Sequence, residues 1–290
     1  MERCRYSRLI AGTMTWGSWG KQLKTTDMVA LMHHCISNDI TTFDHADIYG
    51  GYTTEKDFGI AFAESGIKRT DIQLISKCGI QLIDAHRKTT VKHYNYHKDY
   101  IITSAEASLR NLKTDYLDVL LLHRPSPLMQ PDAISEAIDQ LLQQGKIKSF
   151  GVSNFTASQT QMLSNKIPIS ANQIECSLTA PSAMVDGSLD HMMANNIDAM
   201  AWSPLSSIFK DDTNQTKRLH QLLDELCETY DASKDQLVLA WLLKHPANIR
   251  PVIGTTTAQR ITDASKALTI DLDLQDWFKL LEASLGHEVA

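Results

Sequence analysis

The sequence predicts an α/β fold of the (β/α)8 TIM-barrel type, and three observations carry this prediction. Short apolar runs alternate with longer amphipathic segments along the chain. The run 116–123 is apolar almost throughout, which is typical of a strand buried on both faces of a parallel sheet. The first run is followed by Thr-Met-Thr-Trp-Gly-Ser-Trp-Gly at 13–20, which lacks the G-x-G-x-x-G spacing of a doubly wound sheet.

The elements follow in regular order. Eight strands are predicted at 9–14, 41–44, 72–77, 117–123, 148–153, 171–175, 199–203 and 250–253. Helical spacing of apolar residues predicts helices at 25–38, 99–112, 132–144, 156–165, 182–196, 216–230 and 258–268, with an extra C-terminal helix at 273–285. About eight strands alternating with helices favour a closed barrel. No linker or repeat divides the chain, so residues 1–290 are expected to form one domain.

Composition narrows the classes of function. The net charge is −6 and no basic patch stands out, so no nucleic-acid partner is expected. Residues 1–12 lack the apolar run of a signal peptide, and no stretch is long enough to span a membrane. The five cysteines, Cys4 among them, are scattered, which indicates reduced thiols in a cytoplasmic protein. No metal site is expected, because His93 and His97 lack a third ligand. No feature indicates a protein partner.

Polar residues stand at the ends of the predicted strands. The C-terminal ends of barrel strands form the active face, so these side chains should meet in one cavity. They are Asp44 with Tyr49 beyond it, Lys77, His123, Ser153 with Asn154, Gln173, Trp202 with Ser203, and Gly254 with Thr255.

Four of these residues together make proton transfer to a carbonyl feasible. A tyrosine has a reference pKa of about 10, and a nearby ammonium such as Lys77 lowers it. Asp44 can keep Lys77 charged and oriented, and His123 can hydrogen-bond a substrate carbonyl oxygen. Such a group polarises a carbonyl and supplies a proton as hydride arrives at carbon. Taken singly, each residue is better explained by an ordinary capping, packing or solvated role.

Over essentially its whole length the chain resembles the aldo-keto reductase family. The resemblance rests on Phe-Asp-His-Ala-Asp-Ile-Tyr-Gly at 43–50, Ile-Ser-Lys-Cys-Gly at 75–79, the histidine strand at 115–125, and Gly-Lys-Ile-Lys-Ser-Phe-Gly-Val-Ser-Asn-Phe at 145–155. It implies that Tyr49 is the proton donor, that Lys77 lowers its pKa and pairs with Asp44, and that His123 positions the carbonyl. Within the family the closest likeness is to bacterial general carbonyl reductases and to the potassium-channel β-subunit branch.

The same resemblance implies a nicotinamide cofactor and a small-molecule carbonyl substrate. The implied cofactor contacts are Gly12, Thr13, Asp44, Ser153, Asn154, Gln173, Trp202, Ser203, Leu205, Ser207, Gly254, Thr255, Thr257, Arg260 and Asp263. Many members carry a lysine at the position of Gly254 and an asparagine at that of Ala264, which weakens the preference for NADPH. Arg260 and Thr255 still favour NADPH, with NADH as the alternative.

Substrate choice is expected to depend on the loops at the barrel rim. Trp16 and Trp19 follow the first strand, and with His123 they are the predicted substrate contacts. Ordinary loop packing is the alternative for both tryptophans. The long loop 79–98 is predicted to form another wall, because it is rich in charged and aromatic residues.

Two other functions remain open at this stage. A redox-sensing or regulatory subunit would bind NADPH and turn over slowly, but no partner-binding extension is visible. A barrel lyase or isomerase would form a Schiff base at Lys77. That scheme gives no role to Ser153, Asn154, Gln173 and Arg260, so it ranks last.

Overall fold

Eight parallel strands close into a barrel in the computed structural model, which describes residues 6–85 and 87–290. Each strand pairs with the next one along the chain, and the last pairs with the first. The strands are β1 (Ile10–Gly12), β2 (Thr42–Asp44), β3 (Gln73–Cys78), β4 (Val119–Leu122), β5 (Phe150–Ser153), β6 (Ala171–Glu175), β7 (Asp198–Trp202) and β8 (Arg250–Ile253). The predicted fold class is confirmed, and every predicted strand overlaps an observed one.

Helices surround the barrel. They are α1 (Thr25–Ser37), α2 (Tyr49–Tyr52), α3 (Thr54–Glu64), α4 (Lys98–Leu112), α5 (Pro131–Gln143), α6 (Ala157–Ser164), α7 (Ser188–Ala194), α8 (Asn214–Tyr230), α9 (Lys234–Leu243), α10 (Ala258–Lys266) and α11 (Leu274–Leu285). Short 3₁₀ turns lie at Arg69–Asp71, Ser182–Met184 and Ala267–Thr269. The segment 182–196 is therefore not one helix: Gly187, at φ +84°, separates a 3₁₀ turn from α7.

Strand alternation divides the core into two parts. Ile10, Ile75, Leu121, Met200 and Val252 form a cluster with three other buried residues, separate from the larger cluster that includes the helices. Successive side chains of a strand point to opposite faces, so this smaller cluster fills the barrel interior. The residues that lie two positions further along β3, β6 and β7 therefore also point into the barrel, at its C-terminal end.

A small hairpin lies beside that face. Ile80–Gln81 pairs antiparallel with His93–Tyr94, so part of the loop 79–98 is regular structure. Gly79, which precedes the hairpin, has φ +116°, and a Cβ there would lie 2.1 Å from the ring of Tyr96. The turn therefore requires glycine, because the buried Tyr96 ring occupies the space of a side chain.

The extra C-terminal helix is attached to the barrel wall by a pair of tryptophans. The rings of Trp241 in α9 and Trp277 in α11 stack at 5.1 Å with 13° between their planes. The indole N–H of Trp241 donates to the carbonyl of Trp277 at 3.1 Å, and that of Trp277 donates to the carbonyl of Trp241 at 2.9 Å. Both indole donors are thereby satisfied.

Four cysteines, Cys35, Cys78, Cys176 and Cys227, carry free thiols, and Cys4 lies outside the described residues. Across 6–85 and 87–290 no helix combines the length and the apolar character needed to cross a bilayer.

Candidate active site

A buried ion pair lies at the C-terminal ends of β2 and β3. The Lys77 ammonium donates to both carboxylate oxygens of Asp44 at 2.8 Å and to the carbonyl of His45 at 2.8 Å. Burial opposes the charge on Lys77, but Asp44 and then Tyr49 outweigh it and raise the pKa of the lysine above its ordinary value. Lys77 therefore stays protonated in the barrel.

The hydroxyl of Tyr49 accepts a further hydrogen bond from Lys77, with 3.2 Å between the nitrogen and the phenolic oxygen. Tyr49 begins the short helix α2, in which Gly50 and Gly51 have φ of +61° and +64°. Such left-handed backbone favours glycine, and it turns the chain sharply just after the tyrosine. Because Tyr49 accepts from the ammonium, its own hydroxyl hydrogen stays available for another acceptor.

The pKa of Tyr49 is raised above its ordinary value. Burial is the largest cause, and the charge of Lys77 opposes it without reversing the net direction. Lys77 therefore lowers the pKa of Tyr49 by its own contribution, as expected, but the net change in this pKa is upward. A raised pKa keeps the tyrosine in its acid form, which is the form that donates a proton.

His123 follows β4, and its ring centroid lies 6.1 Å from that of Tyr49. Burial, followed by the charges of Lys77, Arg124 and Lys92, holds the pKa of His123 well below its ordinary value. The imidazole is therefore neutral and carries one N–H donor. Its backbone N–H donates to the carbonyl of Cys78 at 2.9 Å, which fixes the residue beside β3.

The polar groups at the ends of β5, β6 and β7 form one hydrogen-bonded chain. The Trp202 indole donates to the side-chain carbonyl of Asn154 at 2.8 Å, and the Asn154 amide donates to Ser153 at 2.8 Å. Ser153 in turn donates to the backbone carbonyl of Gln173 at 2.9 Å. The Gln173 amide donates to Asp44 at 3.0 Å, so this chain reaches the ion pair.

At the start of the barrel, Thr13 connects β1 to β2. Its hydroxyl donates to the carbonyl of Asp44 at 2.9 Å and lies 2.8 Å from Nδ1 of His45. Burial and then the charge of Lys77 lower the pKa of His45 to about 3, so this histidine is neutral. Gly12, immediately before Thr13, packs closely against β8, where a Cβ would lie 3.1 Å from Val252.

Two loops carry the remaining predicted cofactor contacts. Ser203 is exposed, with φ +49°, and Leu205 and Ser207 are half-buried in the turns that follow β7. After β8, Gly254 is exposed, and the backbone N–H of Thr257 donates to the Thr255 hydroxyl at 3.1 Å. Arg260 is exposed on the first turn of α10. Asp263 in the same helix accepts from Gln259 and pairs with Lys266 at 2.9 Å.

The two rim tryptophans occupy different environments. Trp16 is only 1% exposed and packs against Phe43 and Phe58, with ring centroids 6.1 and 6.0 Å away. It belongs to the core, because the chain turns inward directly after β1. Trp19 is 46% exposed, and its ring centroid lies 6.2 Å from that of Tyr49. The structure therefore leaves Trp19 at the rim beside the tyrosine.

Several groups near the site were not singled out from the sequence. Arg124 follows His123, and its guanidinium carbon lies 5.5 Å from the Trp202 ring. The half-buried Asp47 and the buried Glu55 are two carboxyl groups near the ion pair, and repulsion from Glu55 contributes to raising the pKa of Asp47. Asp47 lies in the same sequence motif as Tyr49, and Arg124 lies in that of His123. Their proximity in sequence to these two residues is the signal that could have identified them. Within the described residues no group of three or more His, Cys, Asp and Glu side chains is arranged to hold a metal ion.

The fold and the site define a class: a (β/α)8 enzyme whose active face holds a tyrosine beside a lysine–aspartate ion pair. The chain belongs to the Aldo/keto reductase family, whose model matches residues 8–284. It is 42% identical to the uncharacterized oxidoreductase YcsN of Bacillus subtilis, over 99% of this chain and 97% of that one. It is 36% identical to a 6-dehydroglucose reductase of Agrobacterium fabrum, over the whole of both chains.

A solved structure agrees with the fold. The thermostable aldo-keto reductase Tm1743, in complex with the inhibitor epalrestat, superposes with a TM-score of 0.81 at 26% identity, covering 98% of this chain and 100% of that one. Family membership identifies the chain as an oxidoreductase that uses a nicotinamide cofactor and acts on small carbonyl compounds.

Proposed function

We propose that the protein reduces aldehydes and ketones to alcohols with NADPH, and that Tyr49 donates the proton. One observation carries the proposal: the Tyr49 oxygen accepts from Lys77 at 3.2 Å, which leaves the tyrosine hydrogen for the substrate. The neutral His123 has one N–H with which to orient the carbonyl oxygen. As the proton leaves, the adjacent ammonium stabilises the developing phenolate.

The residues of the active face suit a nicotinamide dinucleotide. Ser153, Asn154 and Gln173 present amide and hydroxyl groups suited to a carboxamide, and Asn154 fixes the ring of Trp202 beside them. At Gly254 a Cβ would have no neighbour within 4 Å, so backbone there is open to a phosphate group. When bound, the reduced cofactor supplies the hydride. Thr255 and Arg260 at the start of α10 are the groups proposed to favour NADPH over NADH.

The test is NADPH oxidation in the presence of an activated aromatic aldehyde, with the wild type beside Tyr49→Phe. Proton donation by a positioned side chain is worth about a hundred- to ten-thousandfold in rate, so a loss of that size is expected. Tyr230→Phe is a matched control, because Tyr230 hydrogen-bonds Asp276 on the outer helices. A Tyr49→Phe enzyme with wild-type turnover would refute the assignment.

A panel of carbonyl substrates decides between a reductase and a regulatory, redox-sensing subunit. It includes a sugar aldehyde, because the Agrobacterium relative is named for one. Tight NADPH binding without turnover on any member of the panel would favour the regulatory, redox-sensing subunit.

A further inference from the structure

The backbone of Arg124 is held rigidly at the mouth of the site. The Tyr96 hydroxyl donates to the carbonyl of Arg124 at 2.5 Å and accepts from its N–H at 3.2 Å. Tyr96 is only 6% exposed, and its ring is packed against Gly79. A buried side chain thus fixes the position from which the Arg124 side chain projects.

The Arg124 guanidinium lies close to the reacting groups. Its carbon atom is 5.5 Å from the Trp202 ring. Its charge acts on two members of the proposed catalytic group, since it contributes to lowering the pKa of His123 and opposes the rise in that of Tyr49. The guanidinium therefore lies beside the ring of Trp202, on the active face where the carbonyl compound is proposed to bind.

This guanidinium makes no hydrogen bond or ion pair with any residue in the described part of the chain. Other half-buried arginines are compensated: Arg69 pairs with Asp118 at 2.7 Å, and Arg250 with Asp198 at 3.5 Å. Holding a partly buried charge without a partner costs free energy. Such a group at the mouth of an active site is suited to a partner that arrives with the substrate.

Resting on the reductase function proposed above, we propose that Arg124 binds an anionic group of the carbonyl substrate, a carboxylate or a phosphate. The guanidinium fork matches either group with two parallel N–H···O hydrogen bonds. An anion held there also screens the positive charges around His123.

The experiment compares two aldehydes that differ in charge and by one methyl group, 4-oxobutanoate and its methyl ester. In the wild type kcat/KM should be higher for the carboxylate. Arg124→Met should lower kcat/KM for the carboxylate by about ten- to a hundredfold, because a charge-assisted hydrogen bond is lost. The same substitution should change kcat/KM for the ester by less than about threefold. Arg124→Lys should recover part of the loss. Arg110→Met, an exposed arginine on α4, is the matched control.

Glyceraldehyde 3-phosphate and glyceraldehyde form the second pair. If the wild type prefers the charged aldehyde in this pair alone, the anion is a phosphate. If it does so in the first pair alone, the anion is a carboxylate. A wild type that discriminates in neither pair overturns the proposal. So does an equal loss on charged and neutral aldehydes in Arg124→Met, which would mean that the arginine acts through Trp202.

Two measurements separate this proposal from the proposed function. Reduction of the neutral methyl ester by the wild type tests the reductase without any anion. Calorimetric binding of succinate to the protein saturated with NADP⁺ tests the anion site without turnover. Succinate that binds the wild type and Arg124→Met equally would overturn the role of Arg124 even if the ester is reduced.

Discussion

The Lys77 ammonium lies 2.8 Å from both carboxylate oxygens of Asp44, and the two side chains are 1% and 3% exposed. Neither charge has appreciable access to water, so each depends on the other. A buried ion pair of this kind is costly to break, because the remaining charge is left uncompensated.

We expect Lys77→Met to reduce both activity and stability. Loss of the ammonium leaves the Asp44 carboxylate buried without its partner, which costs about 3–5 kcal/mol in the free energy of unfolding. It also removes the group proposed to stabilise a developing phenolate on Tyr49. Urea denaturation and aldehyde reduction measure the two effects. Lys56→Met, an exposed lysine on α3, should leave stability within about 0.5 kcal/mol of wild type. A Lys77→Met protein as stable as this control would contradict the argument.

The pH dependence of carbonyl reduction should show no histidine ionisation near neutrality. The pKa of His123 is held well below its ordinary value, and that of Tyr49 is raised, so both groups keep their reactive protonation states. kcat/KM is therefore expected to stay flat from about pH 6 to about pH 9 and to fall only when the phenol deprotonates. A break near the ordinary pKa of histidine, absent in His123→Gln, would show that His123 titrates in the working range.

Asp47 should make the protein less stable as pH rises toward neutrality. Burial, followed by repulsion from Glu55, raises the pKa of Asp47 to about 7. The folded protein therefore keeps this proton to about pH 7, whereas the unfolded chain loses it near pH 4. Between these values the free energy of unfolding should fall by up to about 1.4 kcal/mol per pH unit for this group. Asp47→Asn should flatten that slope in urea denaturation at pH 5, 6 and 7. Identical slopes in the two proteins would exclude Asp47 as the cause.

Gly254→Lys should strengthen the preference for NADPH. The residue is exposed and a Cβ would meet no atom within 4 Å, so a lysine side chain fits there without displacing a neighbour. An added ammonium facing a ribose phosphate is expected to contribute about 1 kcal/mol, or roughly fivefold, to the ratio of kcat/KM for NADPH over NADH. Arg260→Met should lower the same ratio. If neither substitution moves it, the phosphate lies elsewhere.

The barrel was predictable because its strands are buried on both faces and read as continuous apolar runs. The helix α9 was missed for a related reason: all but one of its residues from Gln236 to Leu243 are buried, so it lacks a polar face. The helix α3 was missed although it is amphipathic. Gly59 weakens its helical signal, and the glycine is required because a Cβ there would lie 1.9 Å from the carbonyl of Asn111.

The residues of the candidate site were predictable in part. Strand ends identify which side chains share the active face, and the structure brings Asp44, Tyr49, Lys77 and His123 together as expected. Residues whose importance comes from distant contacts gave no such signal. The position of Arg124 depends on Tyr96, which is far from it in sequence, and the burial of Trp16 depends on Phe43 and Phe58.

The stacked rings of Trp241 and Trp277 give the protein an optical signal remote from its chemistry. Two indoles that overlap at 5.1 Å share electronic excitation, so the pair should contribute a coupled band to the circular dichroism spectrum. Separation of α11 from α9 would abolish that band while leaving the barrel strands in place. The loosening of the C-terminal helix is thus observable apart from events at Tyr49, without any added label.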